Sequence, residues 1–96
     1  MKQYVVIAHD GTDDEAPERR QTVRPTHLEG AKAMKGKKQF LFGGAILDNE
    51  QRMKGSVMIV QFASQEEFDE WYRSEPYIKG GVWKEITVYP FRQAEI

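Results

Sequence analysis

The sequence contains no cysteine, so disulfides, thiolate metal sites and cysteine nucleophiles are all excluded. It also lacks a long apolar run near its start: Tyr4 to Ala8 is five residues, too short for a signal-peptide core and far too short to span a bilayer. A cytoplasmic protein with no membrane partner is the expectation. Charge of one sign is not in excess either, with 14 basic against 15 acidic residues and a net charge of -1. That balance supplies no field to attract nucleic acid or an anionic membrane. Repeats, low-complexity tracts and linkers are absent, so residues 1–96 are read as a single domain. What is present is a globular composition, 40% apolar and 30% charged. A chain of this length buries only roughly 60 to 65% of its unfolded surface, close to the lower limit for a comfortable core.

Lys2 to His9 is rich in β-branched and aromatic residues and reads as a strand. Its apolar residues do not alternate: Val5 and Ile7 face one way and Tyr4, Val6 and Ala8 the other, so both faces of this strand call for cover. Thr12, Asp13 and Asp14 offer helix N-caps, and a helix is expected from Asp14 to Met34 with Gly36 as its stop. Lys32, Lys35, Lys37 and Lys38 near its end suit the helix dipole. Pro25 is the anomaly, because a proline inside a helix removes a hydrogen bond and costs roughly 3 kcal/mol. Either the helix kinks there or a new one starts. Phe40 to Leu47 and Ser56 to Phe62 read as a hairpin across the loop Asp48 to Lys54, with Gly43 and Gly44 marking a bulge or a close approach to the backbone. Ser64-Gln65-Glu66-Glu67 is a capping box, and Phe68, Trp71 and Tyr72 follow it at helical spacing as a core stripe. Pro76 ends that helix, and Tyr77 to Gly81 reads as a tight connection with Gly80 and Gly81 free to take positive φ. A last strand runs from Val82 to Tyr89.

Strand, helix, strand, strand, helix, strand is the order of the α+β ferredoxin-like fold. Right-handed crossovers put both helices on one face of a four-stranded antiparallel sheet and leave the other face bare. That bare face would be apolar, beyond what soluble monomers usually tolerate. A homodimer packed sheet against sheet is therefore expected.

Without cysteine, chemistry falls to two histidines, the carboxylates and a few hydroxyls. Helical spacing lines up Val23, His27 and Ala31, with Leu28 and Met34 beside them, so His27 borders the face that meets the sheet. A histidine in such a place is either a satisfied core residue or a proton-transfer group. Pro25 beside it is a local cost of the kind functional sites carry. Arg24 is either a surface ion pair or a cation for an anionic ligand. His9 and Asp10 close the first strand and point to opposite faces, so they form no local pair.

The stretches VRPTHL, FGGAI, GSVMIV and SEPYIKGGVWKEITVYPF, together with Asp10, resemble the YciI-like (YCII domain) proteins over nearly the full length. The resemblance implies a dimeric α/β barrel, in agreement with the topology read from pattern. It also implies a catalytic histidine and an acidic residue in a cleft between helix and sheet. The matching positions are His27 and Glu75, the latter where the family usually carries aspartate; Asp10 is the substitute partner should Glu75 not reach. Arg24 and Ser56 match positions that would bind substrate. A carboxylate on one imidazole nitrogen makes the other a better base near neutral pH. The implied function is proton transfer, of lyase, isomerase or hydrolase type, on a small anionic or phenolic molecule. No cofactor and no metal are expected; two histidines, neither in a haem motif, do not favour haem. The competing reading is a non-catalytic ligand-binding or interaction module that uses the same cleft.

Overall fold

Period-two alternation sorts each strand into a buried and an open face, and the helices follow from which face needs cover. The computed structural model describes residues 1–96. Strand β1 spans Lys2–Asp10, helix α1 Ala16–Gly36, β2 Phe40–Leu47, β3 Met53–Phe62, α2 Gln65–Ser74, α3 Pro76–Lys79 and β4 Trp83–Phe91. The sheet runs β2-β3-β1-β4 with every neighbouring pair antiparallel, the ferredoxin-like arrangement expected from element order. Tyr4, Val6 and Ala8 of β1 and Met58, Val60 and Phe62 of β3 point to the helices and are buried. Phe68 of α2 sits on them, its ring 4.2 Å from that of Tyr4. The opposite face carries half-buried Val5, Ile7, Val57 and Ile59, with Phe42 and Tyr89 exposed beside them at 66% and 56%. No helix is long and apolar enough to cross a membrane.

Several local expectations need correction. None of Thr12, Asp13 and Asp14 caps α1, which starts at Ala16 with no side-chain cap. The Asp13 carbonyl accepts from the Ala16 amide, and its carboxylate instead holds Arg19 at 2.7 Å. Pro17 fits the first turn, where its missing N–H has no partner to lose. Pro25 starts no new helix: α1 runs through it unbroken. The carbonyl that loses a donor belongs to Gln21, which is exposed as Pro25 is, so water can replace the bond.

The glycines divide by cause. Gly43 pairs regularly with Met58, and the register shifts fall on either side of it, so it marks no bulge. It gives way to the Phe40 ring, which lies 2.7 Å from where a Cβ would sit. Gly81 has φ +69° as expected, but Gly80 does not have positive φ. Gly80 is needed for space, since a Cβ there would lie 2.9 Å from the Pro76 carbonyl oxygen and 3.0 Å from Val23. The capping box forms with one change: the Ser64 hydroxyl accepts from the Glu67 amide at 3.3 Å, while the Glu67 carboxylate accepts from the Ala63 amide.

Candidate active site

Two buried polar pairs meet under α1, and each owes its position to a chain junction. At the end of β1 the register with β4 shifts between His9 and Asp10. Asp10 turns inward with its side chain 4% exposed, whereas His9 stays at the surface. Arg20, one turn into α1 and 3% exposed, donates from Nη1 to both Asp10 oxygens at 2.9 and 3.0 Å. Its Nη2 donates to the Ser56 hydroxyl at 2.8 Å, and the Trp83 indole N–H donates to the same oxygen at 3.2 Å. Both lone pairs of Ser56 are thus used, which leaves its hydroxyl hydrogen free to donate.

The second pair is His27 and Glu75. Nδ1 of His27 lies 2.5 Å from Oε1 of Glu75, with His27 8% and Glu75 3% exposed. Glu75 stands between α2 and α3, and Pro76 holds it extended at φ -60° and ψ 121°. The same Oε1 accepts from the Tyr77 amide at 3.1 Å, so Glu75 is the N-cap of α3. Its place at the end of α2, unfavourable by dipole alone, is explained by this cap. A carboxylate at Nδ1 favours the tautomer with the proton on Nδ1, and Nε2 has no partner in the chain.

Tyr77 links the two pairs. The His27 ring stacks on it at 4.0 Å between centroids and 15° between planes, and the Arg20 guanidinium carbon lies 4.7 Å from its centroid. Burial pushes the Tyr77 phenol above its ordinary value, against the opposing pull of Arg20 and Arg24.

A cavity of about 110 Å³ opens among these groups, lined by Arg20, Arg24, His27, Ser56 and Tyr77 with Leu28, Ala31, Phe40 and Met58 as apolar wall. Arg24 is half-buried and has no carboxylate within ion-pair distance, so it is not a surface ion pair. The Arg20 charge is neutralised by Asp10 and that of Arg24 by nothing in the chain. Of the residues singled out from sequence, His27, Arg24 and Ser56 share this cavity and Glu75 stands behind His27. Asp10 does not meet the imidazole; it belongs to Arg20. Arg20, Tyr77 and Trp83 escaped the sequence reading. Arg20 could have been found four residues before Arg24 and seven before His27 on the same helical stripe. No set of three or more His, Asp and Glu side chains is gathered as a metal cluster. A larger groove of about 780 Å³ separates α1 from α2 and includes Glu75 but not His27.

The YCII-related domain matches residues 2–92. The chain belongs to that family. Protein YciI of Escherichia coli O6:H1 and that of Shigella flexneri are each 31% identical over 96 residues, covering 94% of this chain and 96% of theirs. Among solved structures, the 5-chloro-2-hydroxyhydroquinone dehydrochlorinase TftG of Burkholderia phenoliruptrix AC1100, in complex with 2,5-dihydroxybenzoquinone, superposes with a TM-score of 0.80 at 18% identity, covering 96% of this chain and 95% of that one. A dimeric ferredoxin-like protein of unknown function from Jannaschia sp. CCS1 gives a TM-score of 0.57 at 12% identity, covering 97% of this chain and 100% of that one. At these identities the two structures establish the fold alone.

Proposed function

We propose that this YCII-family protein is an enzyme that moves a proton on a small anionic or phenolic ring, with His27 as general acid or base. The observation that carries the reading is the His27–Glu75 contact of 2.5 Å, with Nε2 free beside a cavity that also holds the unpaired Arg24. In outline, Nε2 takes a proton from a substrate hydroxyl or ring carbon, and Glu75 stabilises the imidazolium that results. Arg24 balances the substrate's negative charge, and the Ser56 hydroxyl donates to a substrate oxygen. Asp10 acts at one remove, by holding Arg20 against Ser56. At about 110 Å³ the cavity is smaller than the about 150 Å³ that encloses benzene, so it takes the reacting edge of one ring and leaves the rest of the molecule outside. The structural likeness to a dehydrochlorinase of a hydroxylated ring supports this substrate class.

The open sheet face, with Phe42 and Tyr89 exposed, supports a homodimer joined through that face. Light scattering at micromolar concentration should then give twice the chain mass, and a monomer mass refutes it.

The test of function is a panel of chlorinated hydroxyhydroquinones, phenols and ring lactones with wild type, His27→Ala and Glu75→Gln. Loss of general acid–base catalysis lowers kcat by about 10² to 10⁴-fold in His27→Ala, with the fold retained by circular dichroism. A His27→Ala protein with wild-type turnover sinks the proposal. A protein that binds these ligands and turns none over is instead a ligand-binding module.

A further inference from the structure

The groove between α1 and α2 lies on the helical side of the sheet, remote from the open sheet face, and is not used by the proposed chemistry. Helix α1 packs on α3 and β2, and α2 on α3 and β3, so the two long helices stand apart across about 780 Å³. Its walls are two helix faces in register with the 3.6-residue turn. Thr26, Glu29, Gly30 and Ala33 belong to α1, and Glu67, Glu70, Trp71 and Ser74 to α2.

Three observations define what would fit. The charge is one-sided: Glu29, Glu67, Glu70 and Glu75 line the groove against Lys37 alone, and the first three have no Lys or Arg in ion-pair reach. An aromatic surface is built into the floor, where half-buried Trp71 rests on Phe62 at 5.9 Å between centroids. Finally, Glu75 is 3% exposed, yet only its Oε1 is engaged, by His27 and the Tyr77 amide. Its Oε2 has no partner, is not among the fully enclosed unpaired atoms, and belongs to a residue that lines this groove and not the small cavity. With Oε1 held by two donors, Oε2 is the carboxylate's one open acceptor, and it is a place for a donor. Gly30 adds a wall kept low: glycine weakens a helix interior, and no atom lies within 4 Å of where its Cβ would be.

We propose that this groove is a second binding site, for a small organic ammonium ion with an apolar body. The ammonium sits between Glu29, Glu70 and Oε2 of Glu75, and the apolar part lies on the Trp71 ring, where a cation is also favoured. The site shares Glu75 with the proposed chemistry, Oε1 meeting His27 and Oε2 left for the ammonium, but it requires no turnover at His27.

The test uses the full chain and 2-phenylethylammonium, with neutral 2-phenylethanol as control and the Trp71 indole resonance, assigned through Trp71→Phe, as the readout. Expected is a saturable Trp71 shift with Kd on the order of 1 mM. Removing the charge, either from the ligand as in the alcohol or from the protein in the Glu29→Gln/Glu70→Gln variant, should weaken binding about tenfold. Gly30→Leu should fill the groove and abolish the shift; the double variant decides if Gly30→Leu does not fold. Benzoate, the probe for the Arg24 cavity, should bind wild type and double variant alike. Failure of benzoate alone counts against the proposed function and leaves the groove standing. Equal binding of alcohol and ammonium, an unchanged affinity in the double variant, or no Trp71 shift up to about 20 times the expected Kd overturns the second site.

Discussion

Replacing Asp10 by alanine should be among the most damaging single substitutions in the chain, although Asp10 is expected to touch no substrate. The carboxylate and Arg20 have side chains 4% exposed each, joined by two hydrogen bonds of 2.9 and 3.0 Å. Arg20 already carries one deficit, a buried Nε with no partner. Removing Asp10 leaves the guanidinium charge uncompensated, and breaking such a buried pair costs about 3 to 5 kcal/mol. At roughly 0.05 to 0.15 kcal/mol per residue a domain of this length is stable by about 5 to 14 kcal/mol, so about a fifth or more of the total is at stake. With a urea slope of about 1 to 2 kcal/mol per molar for a small domain, the unfolding midpoint should fall by about 1.5 to 5 M. Arg20→Met alone should cost a similar amount, by stranding the carboxylate. The double variant Asp10→Ala/Arg20→Met removes both charges and should cost clearly less than the sum, with a coupling of about 2 kcal/mol or more. The melts are compared at one protein concentration, so that self-association of the proposed kind contributes equally to each. Additivity within about 0.5 kcal/mol would refute the claim that these charges are buried as a unit.

Two glycines should respond oppositely to the same substitution. Gly30→Ala should raise stability by about 0.5 to 1 kcal/mol, since nothing lies within 4 Å of the added methyl. Gly80→Ala should lower it by driving that methyl against the Pro76 carbonyl and Val23; shifts of the same sign in thermal melts would contradict the packing described. Tyr77 should leave an alkaline signature. Burial raises its phenol above 10.0 in the folded chain, so the folded state holds the proton longer than the unfolded state. Its contribution is therefore complete below about pH 10 and falls as pH rises through the folded value. Tyr77→Phe should flatten that limb of a midpoint-against-pH profile, and an unchanged limb would assign it to other groups.

Helix stripes were legible because they are periodic, as Phe68, Trp71 and Tyr72 follow the helical turn, whereas the unbroken apolar run Tyr4 to Ala8 marked a strand without saying which face meets the helices. Helix α3 was not legible, because four residues from Pro76 to Lys79 are too few to show a period. The caps were half legible. Ser64 caps α2 as its sequence signature demands, but Asp13, equally suited by type, was drawn to Arg19 instead. Side-chain chemistry alone cannot decide between a backbone amide and a guanidinium. The Arg20 network was hidden for a related reason. An arginine on a charged helix reads as solvated, and its burial is visible only when the last residue of β1 is brought under the helix. His27 was legible because Val23 and Ala31 mark its stripe as core-facing, while Arg24 was singled out as the cation beside it and by the family resemblance.

The longer side chain at position 75 put its reach to His27 in question, on the premise that reach is set by the number of methylenes. In the structure the direction of the chain decides it. Pro76 confines residue 75 to extended backbone, which ends α2 and turns the carboxylate back over the first amides of α3. There a single oxygen meets both the Tyr77 amide and Nδ1 of His27. The carboxylate that favours one imidazole tautomer therefore also fixes the start of the helix whose tyrosine supports the imidazole face. One atom contacts the ring and caps the helix that supports it, so a substitution at Glu75 disturbs both together. Ser56 is held by a separate element, β3, whereas Arg24 shares α1 with His27 and stands one turn from it.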